Sequence, residues 1–326
     1  MPDYGHEQTD VMLAKLERKL KREYRKAYNE LQVKVDNYFK QFAMLDAQKK
    51  KQLQAGKITE AEYKEWRKNK MATGKRWEDM RDTVAYDLTK TNEIAAKMIL
   101  DSNIDVYALN ANYALYEAEM GLHGGISLTL YNHSTVENMF LKGSNFFMPK
   151  PSVDIPKDLR WNRQKITSAI LQGIMQGESV DKIAGRLASV TDMSASAAIR
   201  NARTYTTAAE NGGRQARYEE ITQKGVEGVR EWVATMDNRT RHEHRLLDGQ
   251  RRAINEPFVV EDSGETIMYP ADPTAAGHLV YNCRCAMKWV LTKYDEGVKR
   301  YDLPDMTYEE WKQARPVYKK KKKAKK

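Results

Sequence analysis

A long run of apolar residues at helical spacing near the N-terminus restricts the possible folds more than any other feature. Between positions 13 and 42 an apolar side chain recurs every three or four residues: Leu13, Leu16, Leu20, Tyr24, Ala27, Leu31, Val35, Tyr38 and Phe42. Because an α-helix turns once in 3.6 residues, these side chains form one stripe, with lysine and arginine on the other faces. The pattern predicts a long helix whose stripe packs against another segment or a partner.

Helical periodicity continues well beyond this first helix. Gly56 interrupts the pattern, and Thr59 followed by Glu62 has the spacing of a capping box, which predicts the start of a second helix. After a weak point at Gly74, apolar residues keep a helical period to about Met120. The sequence therefore predicts a helical N-terminal arm over residues 1–120.

The next two segments differ in their turn residues. Residues 121–160 contain a Gly-Gly pair and prolines at 149, 151 and 156, which indicate a loop-rich hinge with at most one short strand pair. Residues 161–225 regain helical periodicity. They predict a helical subdomain of three short helices, beginning near Trp161, at Ser179 and at Asp192 or Ser194.

After Gly225 the apolar period changes from helical to alternating. Residues 229–235 predict a strand, residues 258–269 a hairpin around an Asp-Ser-Gly turn, and residues 283–291 a final strand. Residues 226–292 would thus form a small α+β module, followed by a C-terminal segment, 293–326, with a Lys-rich tail. The expected fold class is a mainly α N-terminal arm and helical subdomain, followed by a small α+β C-terminal module and a disordered basic tail.

Composition and cysteine content narrow the class of protein. The chain is 31% charged, and no apolar run approaches the roughly 18 residues that a membrane helix needs. Its first ten residues are polar and lack the apolar core of a signal peptide, so we expect a cytoplasmic protein without a membrane partner. The only cysteines, Cys283 and Cys285, are too close in sequence to bridge without severe strain, which excludes a disulfide framework.

The net charge of +10 is concentrated at the C-terminus. Seven lysines lie in the last eight residues, namely Lys319, Lys320, Lys321, Lys322, Lys323, Lys325 and Lys326. A lysine cluster without apolar residues cannot fold alone, but it can replace the counterions condensed on nucleic acid. It serves either to keep the protein in solution or to contact nucleic acid without sequence preference.

The most specific pattern lies between positions 232 and 289. It consists of Trp232, Thr235, Asp237, Arg239, Thr240, Arg241, His244, Gly249, Asn282, Cys283, Arg284 and Cys285. In this order the residues resemble the signature of the phage head morphogenesis family, also called Mu F-like minor head proteins. Upstream, Ser179 and the Arg203-Thr204 pair also resemble the family, although Tyr205 stands where the family commonly has glutamate.

The resemblance implies a minor capsid protein that binds the portal and/or the inner capsid surface. Such a protein would contact packaged DNA during head assembly and genome packaging or delivery, and would have no enzymatic activity. It would lie inside the virion head, and in the host cytoplasm during assembly. The long helices would supply the surface for partners, and the basic tail would neutralise phosphates of the packaged DNA.

Two alternatives for the motif are open on sequence grounds. Cys283 and Cys285 face the same side of an extended segment, so His244 could complete three ligands of a structural zinc site. His242, His278, Asp237 or Asp248 would then supply the fourth ligand. Alternatively, the cysteines are small core residues and His244 is hydrogen-bonded in a turn.

The arginines of the motif also have two interpretations. Arg239 and Arg241 pair with Asp237 and Asp248 and fix the turn, or they contact phosphate or a partner's carboxylates, because the guanidinium fork suits both. Local pairing is favoured because the residues are neighbours in sequence.

Two other functional classes remain as alternatives. The first is a metal-dependent nuclease that uses His242, His244, His278, Asn282 and the cysteines. Against it, the sequence offers no acidic cluster for magnesium and no Gly-rich phosphate loop. The second is a non-specific DNA-binding protein, which would depend on the basic tail.

Overall fold

The protein is mainly helical, as the sequence predicts. The computed structural model describes residues 3–141, 154–294 and 305–315. Six helices precede the sheet: α1 (Tyr4–Gln54), α2 (Glu60–Met71), α3 (Lys75–Leu122), α4 (His133–Leu141), α5 (Ile155–Met175) and α6 (Val180–Thr222). The predicted fold class, helical first and α+β in a small C-terminal module, is confirmed. The Lys319–Lys326 tail lies outside the described residues.

The stripe on α1 is buried along most of its length. Leu16, Leu20, Leu31 and Val35 are all less than 9% exposed, while the lysines and arginines between them lie on the open faces. Gly56 adopts a left-handed φ of 68°, which any residue with a Cβ reaches only at a cost, and α1 stops just before it. The long first helix and its packing seam are thus confirmed.

The capping box predicted from Thr59 and Glu62 is present. The Glu62 amide donates to Thr59 Oγ1 at 3.2 Å, and the Thr59 amide donates to Glu62 Oε2 at 2.7 Å. These bonds satisfy amides that have no partner in the first turn of a helix, so they fix the start of α2.

Two compact units make up the chain. Unit 1 consists of the described parts of Met1–Leu16, Ile99–Lys150 and Arg200–Lys326, and unit 2 of the described parts of Glu17–Met98 and Pro151–Ile199. Unit 2 has one apolar core, around Phe39, Trp77 and Ile170. Unit 1 has three apolar clusters, around Trp311, Trp232 and Tyr107 respectively. The predicted division into five consecutive segments stays a prediction.

The structure differs from the sequence interpretation between α3 and β1. Residues 133–141 form α4, started by the Asn132 side chain, where loops and a strand pair were expected. Pro156, which the sequence assigns to the hinge, lies in the first turn of α5, where a missing amide costs nothing. Helix α6 runs unbroken through Asp192 and Ser194, because buried Val190 and Ala198 keep that stretch packed as a helix.

The C-terminal module contains the predicted strands and one further short strand, residues 251–253, that the sequence analysis did not predict. They are β1 (Val226–Val233), β2 (Arg251–Ala253), β3 (Phe258–Val259), β4 (Thr266–Ile267) and β5 (Ala286–Tyr294), with short helices α7 (His242–Leu247) and α8 (Gly277–Val280) between them. Strand β1 lies between β2 and β5 in an antiparallel sheet, and β3 pairs with β4 as the expected hairpin. Strand β5 begins at Ala286, so the cysteines lie just before it.

Part of the C-terminal segment is also packed. Residues 308–315 are helical, and the Thr307 side chain caps them by accepting from the Glu310 amide at 3.4 Å. Tyr308 and Trp311 are buried in the first cluster of unit 1. Across the described ranges, no helix combines the length and the apolar character needed to cross a bilayer.

Candidate functional site

The structure brings Cys283, Cys285 and His244 together in the interior of the C-terminal module. His244 Nδ1 lies 3.4 Å from Cys285 Sγ and 3.7 Å from Cys283 Sγ. Each of the three residues is 2% exposed. Helix α7 carries the histidine, and the extended segment before β5 places both sulfurs on the same side, as the two-residue spacing predicts.

The tautomer of His244 follows from its second ring nitrogen. His244 Nε2 lies 2.9 Å from the carbonyl oxygen of Leu279. A carbonyl oxygen can only accept, so Nε2 carries a proton and donates it to this carbonyl, while Nδ1 faces the sulfurs. The edge of Trp232 packs against the ring, with centroids 5.6 Å apart, which further fixes its orientation.

The two thiols have different acidities. Burial raises the pKa of Cys283 well above its ordinary value. A hydrogen bond from Cys283 lowers the pKa of Cys285, which burial opposes and His244 assists. The two sulfurs therefore titrate as a pair, in which a thiolate on one sulfur is stabilised by the thiol of the other.

A second part of the motif fastens the turn after β1 to the cysteine segment. Arg284 donates to both carboxylate oxygens of Asp237, each at 2.7 Å, and the Arg239 amide donates to Asp237 Oδ1 at 2.8 Å. The hydrogen bonds from Arg284 hold the pKa of Asp237 well below its usual range. Thr235 Oγ1 donates to the Arg284 carbonyl at 2.6 Å. These contacts hold the two halves of the motif together.

Of the other arginines of the motif, Arg239 pairs with Asp237 as the favoured interpretation predicts, whereas Arg241 contacts a backbone carbonyl rather than a neighbouring carboxylate. Arg239 is 3.5 Å from Asp237 but 73% exposed at its side chain, and Arg241 donates to the Tyr281 carbonyl. Asp248 accepts from the Ala234 amide at 2.8 Å. The main partner of Asp237 is therefore Arg284, an arginine distant in sequence that neighbour spacing does not indicate.

Two motif residues are explained by backbone conformation. Gly249 has a φ of 74°, and its amide donates to the Trp232 carbonyl at 2.9 Å. Asn282 has a φ of 55°, and its amide donates to Thr204 Oγ1 at 3.0 Å. Glycine and asparagine are the residues that tolerate this left-handed region best. Both positions thus shape the approach of the chain to the cysteine segment.

The four proposed fourth ligands have other partners. His242 pairs with Asp262 at 2.8 Å and His278 with Glu265 at 3.1 Å, both at the surface. Asp237 and Asp248 are held as described above. Among the described residues, the one group that could hold a metal ion is His244, Cys283 and Cys285. His242 and His278, which the nuclease alternative requires, therefore pair with surface carboxylates and are not part of this group.

Buried polar residues of α6, which the sequence analysis missed, hold the cysteine segment in place. Thr207 Oγ1 donates to the Cys283 carbonyl at 2.7 Å, and Asn211 Nδ2 donates to the Cys285 carbonyl at 3.1 Å. With Thr204 they lie three and four residues apart on one helix face. Polar residues repeating at helical spacing within an alanine-rich helix were the available signal.

A cavity of about 470 Å³ borders the three ligand candidates. Five arginines line it, namely Arg200, Arg203, Arg239, Arg241 and Arg284. His6 also lines it and lies 2.8 Å from Glu210. Burial would lower the pKa of His6, but the Glu210 carboxylate outweighs burial and raises it to about 9. The carboxylates of Asp10 and Glu210 offset only part of this positive charge, so the cavity is cationic, a property that suits an anion.

The helical block and the module that carry these residues are the part of the chain that resembles a known family. Residues 164–288 match the family model described as Phage Mu protein F like protein. Over this segment, which is less than half of the chain, the protein is similar to the Mu F-like minor head proteins.

Two relatives show how far the likeness extends. The chain is 25% identical to the minor head protein GP7 of Bacillus phage SPP1 over 321 residues, which cover 93% of each protein. It is 29% identical over 188 residues to the NAD(+)–arginine ADP-ribosyltransferase EFV of Enterococcus faecalis. That second match covers 53% of this chain and 37% of the transferase. No solved structure matches.

Proposed function

We propose that this phage minor head protein binds the portal and/or the inner capsid surface during head assembly, and contacts packaged DNA. The observation that carries the proposal is the likeness to the SPP1 minor head protein along 93% of both chains. On this proposal the protein lies inside the virion head, and in the host cytoplasm while the head assembles.

The partner surface that we propose lies on unit 2. Nine of the twelve exposed large hydrophobic side chains in the described ranges belong to it: Val33, Met44, Leu45, Tyr86, Ile94, Ile155, Trp161, Met175 and Met193. Exposed apolar side chains are costly unless a partner covers them, and their concentration on one part of a protein is typical of an interaction surface. This supports unit 2 as the part that binds portal or capsid protein.

A charge placed on this surface is expected to weaken binding. Met175 is 66% exposed in unit 2, and Met236 is 57% exposed in unit 1, so Met175→Glu and Met236→Glu form a matched pair. We expect Met175→Glu to reduce co-sedimentation with the portal or capsid protein of the same phage at least about 10-fold. Met236→Glu should bind like the unchanged protein. Equal loss in both variants would contradict the assignment to unit 2.

For DNA, we propose that the C-terminal lysines supply the contact. The seven lysines of this tail are point charges that pair with phosphates, so binding would not depend on the base sequence. Such binding releases counterions and is steeply dependent on salt.

Removal of the tail tests the proposed DNA contact. A chain ending at Tyr318 should bind duplex DNA more weakly, and the slope of log affinity against log salt should fall by up to about 6, since each phosphate contact contributes about 0.9. A variant with the same seven lysines changed to glutamine keeps the tail length and should show the same loss. Fluorescence anisotropy over a salt series measures both. An unchanged slope would exclude the tail as the DNA contact.

We propose a structural role rather than a catalytic one. The transferase activity is stated in the name of the E. faecalis protein, and 37% of that protein is matched. The nuclease alternative would need His242 and His278 in addition to His244 beside the cysteines. Both of these histidines pair with surface carboxylates instead. The match of residues 164–288 to a head protein family model supports the structural role.

A further inference from the structure

The spacing of the three buried ligand atoms matches that of a tetrahedral metal site. Zinc lies about 2.3 Å from a cysteine sulfur and about 2.0–2.1 Å from a histidine nitrogen, so adjacent ligand atoms in a tetrahedron are roughly 3.6 Å apart. The two Nδ1–Sγ distances are 3.4 Å and 3.7 Å, and all three ligand atoms lie within 4.8 Å of one another. An ion can enter without movement of the backbone.

The chemical type of the three ligand atoms determines which metal ion the site would prefer. Two sulfurs and one imidazole nitrogen suit zinc, whereas magnesium and calcium require oxygen ligands. The Leu279 carbonyl already fixes the ring of His244, as outer partners of zinc-bound histidines do. The Cys285 amide lies 3.4 Å from Cys283 Sγ and donates to it, which stabilises charge on that sulfur.

The fourth coordination position is the remaining element of the site. Candidate side chains from the motif are engaged elsewhere, and all three ligand residues border the cationic cavity. A cavity of about 470 Å³ has room for water and small anions. Three protein ligands with one free position are the arrangement of zinc sites that accept an exchangeable ligand.

We propose that His244, Cys283 and Cys285 bind one zinc ion, and that its fourth position opens on the arginine-lined cavity and holds water that a small anion can replace. The ion would join α7 to the segment before β5, and so would stabilise the module that carries the family motif. This site does not depend on the proposed partners, and its failure would leave the head assembly role in place.

Metal analysis of the full chain tests the site directly. Protein purified without chelator should contain about one zinc per chain, and removal of the metal should lower Tm by at least about 5 °C, since a ligand that binds only the folded state stabilises it. Addition of Co²⁺ to the metal-free protein should give thiolate-to-cobalt charge-transfer absorption and the intense visible bands of a tetrahedral ion. Unchanged protein without zinc and without these bands would overturn the proposal.

Matched histidine variants locate the ion. His244→Gln should lose the metal and the cobalt bands, whereas His278→Gln, which alters a surface histidine of the same module, should keep both. Cys283→Ser and Cys285→Ser should each weaken or remove the charge-transfer absorption. Circular dichroism shows whether each variant is folded. If a variant is unfolded, the cobalt titration of the unchanged protein tests whether the site binds a metal ion. Equal loss in His244→Gln and His278→Gln would contradict the assigned ligands.

An anion titration tests the open position. Sodium azide added to the cobalt form should shift the visible bands, because azide replaces the water. The same titration of the Arg241→Gln variant should need more azide, because Arg241 contributes positive charge to the cavity. A spectrum that azide leaves unchanged would show that a protein side chain fills the fourth position.

Discussion

Replacement of Arg214 by methionine is expected to destabilise unit 1 by about 3–5 kcal/mol, because it leaves buried charges and acceptors without a partner. The Arg214 side chain is fully buried and donates to both carboxylate oxygens of Asp3, at 2.6 and 2.7 Å. It also donates to the Asn110 side chain and, at 2.8 Å, to the Met287 carbonyl. One side chain thus joins the start of α1 to α3, α6 and β5.

The charge on Asp3 shows how strongly the pair is coupled. Burial raises the pKa of the Asp3 carboxyl, but the Arg214 charge and hydrogen bonds outweigh burial and lower it. Without the guanidinium, Asp3 and nearby Glu210 would lose their shared cation. Methionine fills similar volume, so the loss would reflect polar contacts rather than a cavity.

A surface arginine of the same unit serves as the control. Arg251 pairs with Glu231, and its side chain is 60% exposed. Arg251→Met should therefore cost less than about 1 kcal/mol. Urea unfolding followed by tryptophan fluorescence compares the two variants. Equal midpoints for both would show that Arg214 is not the central contact of unit 1.

Gly213→Ala is expected to destabilise the contact of α6 with α3 by about 1–3 kcal/mol, the usual cost of overpacking. A Cβ at Gly213 would lie 2.6 Å from the Tyr107 carbonyl oxygen and 3.3 Å from the Ala111 amide nitrogen. Both are backbone atoms of α3, so no side-chain rotation relieves the clash. The helices would have to separate along part of their length.

The neighbouring glycine makes a strict comparison. A Cβ at Gly212 would lie 3.8 Å from its nearest neighbour, a Tyr107 ring carbon, which is an ordinary contact. Because alanine favours a helix interior, Gly212→Ala should be neutral or stabilise by up to about 1 kcal/mol. Thermal unfolding of the two variants should therefore move in opposite directions. A stabilised Gly213→Ala protein would refute the close approach.

The sequence predicted helices and strands correctly where its apolar residues followed one clear period, either helical or alternating. The stripe on α1, the capping box at Thr59 and the alternation in β1 each determine structure within a few residues of themselves. The prediction failed where residue types that often begin a helix lie inside one. Asp192 and Ser194 resemble the start of a helix, yet packing of their neighbours keeps α6 continuous.

The candidate site was partly accessible from the sequence. The spacing of Cys283 and Cys285, with His244 on a preceding turn, indicated the three residues that the structure brings together. The cavity beside them was not predictable, because His6, Arg200 and Glu210 reach it from distant positions. Nor was the Asp237–Arg284 pair, since sequence neighbours such as Arg239 compete for the same carboxylate.

The segments of the chain that make up each unit determine the order in which the units can fold during synthesis. Unit 2 ends at Ile199, so all of its residues have been synthesised when the ribosome has passed α5 and the first part of α6. Unit 1 needs Asp3 together with Met287 of β5, so the residues before and at the start of α1 must wait until β5 has been made. Domains generally form as they emerge. The first turns of α1 therefore remain without their final partners until α6 and β5 have been made.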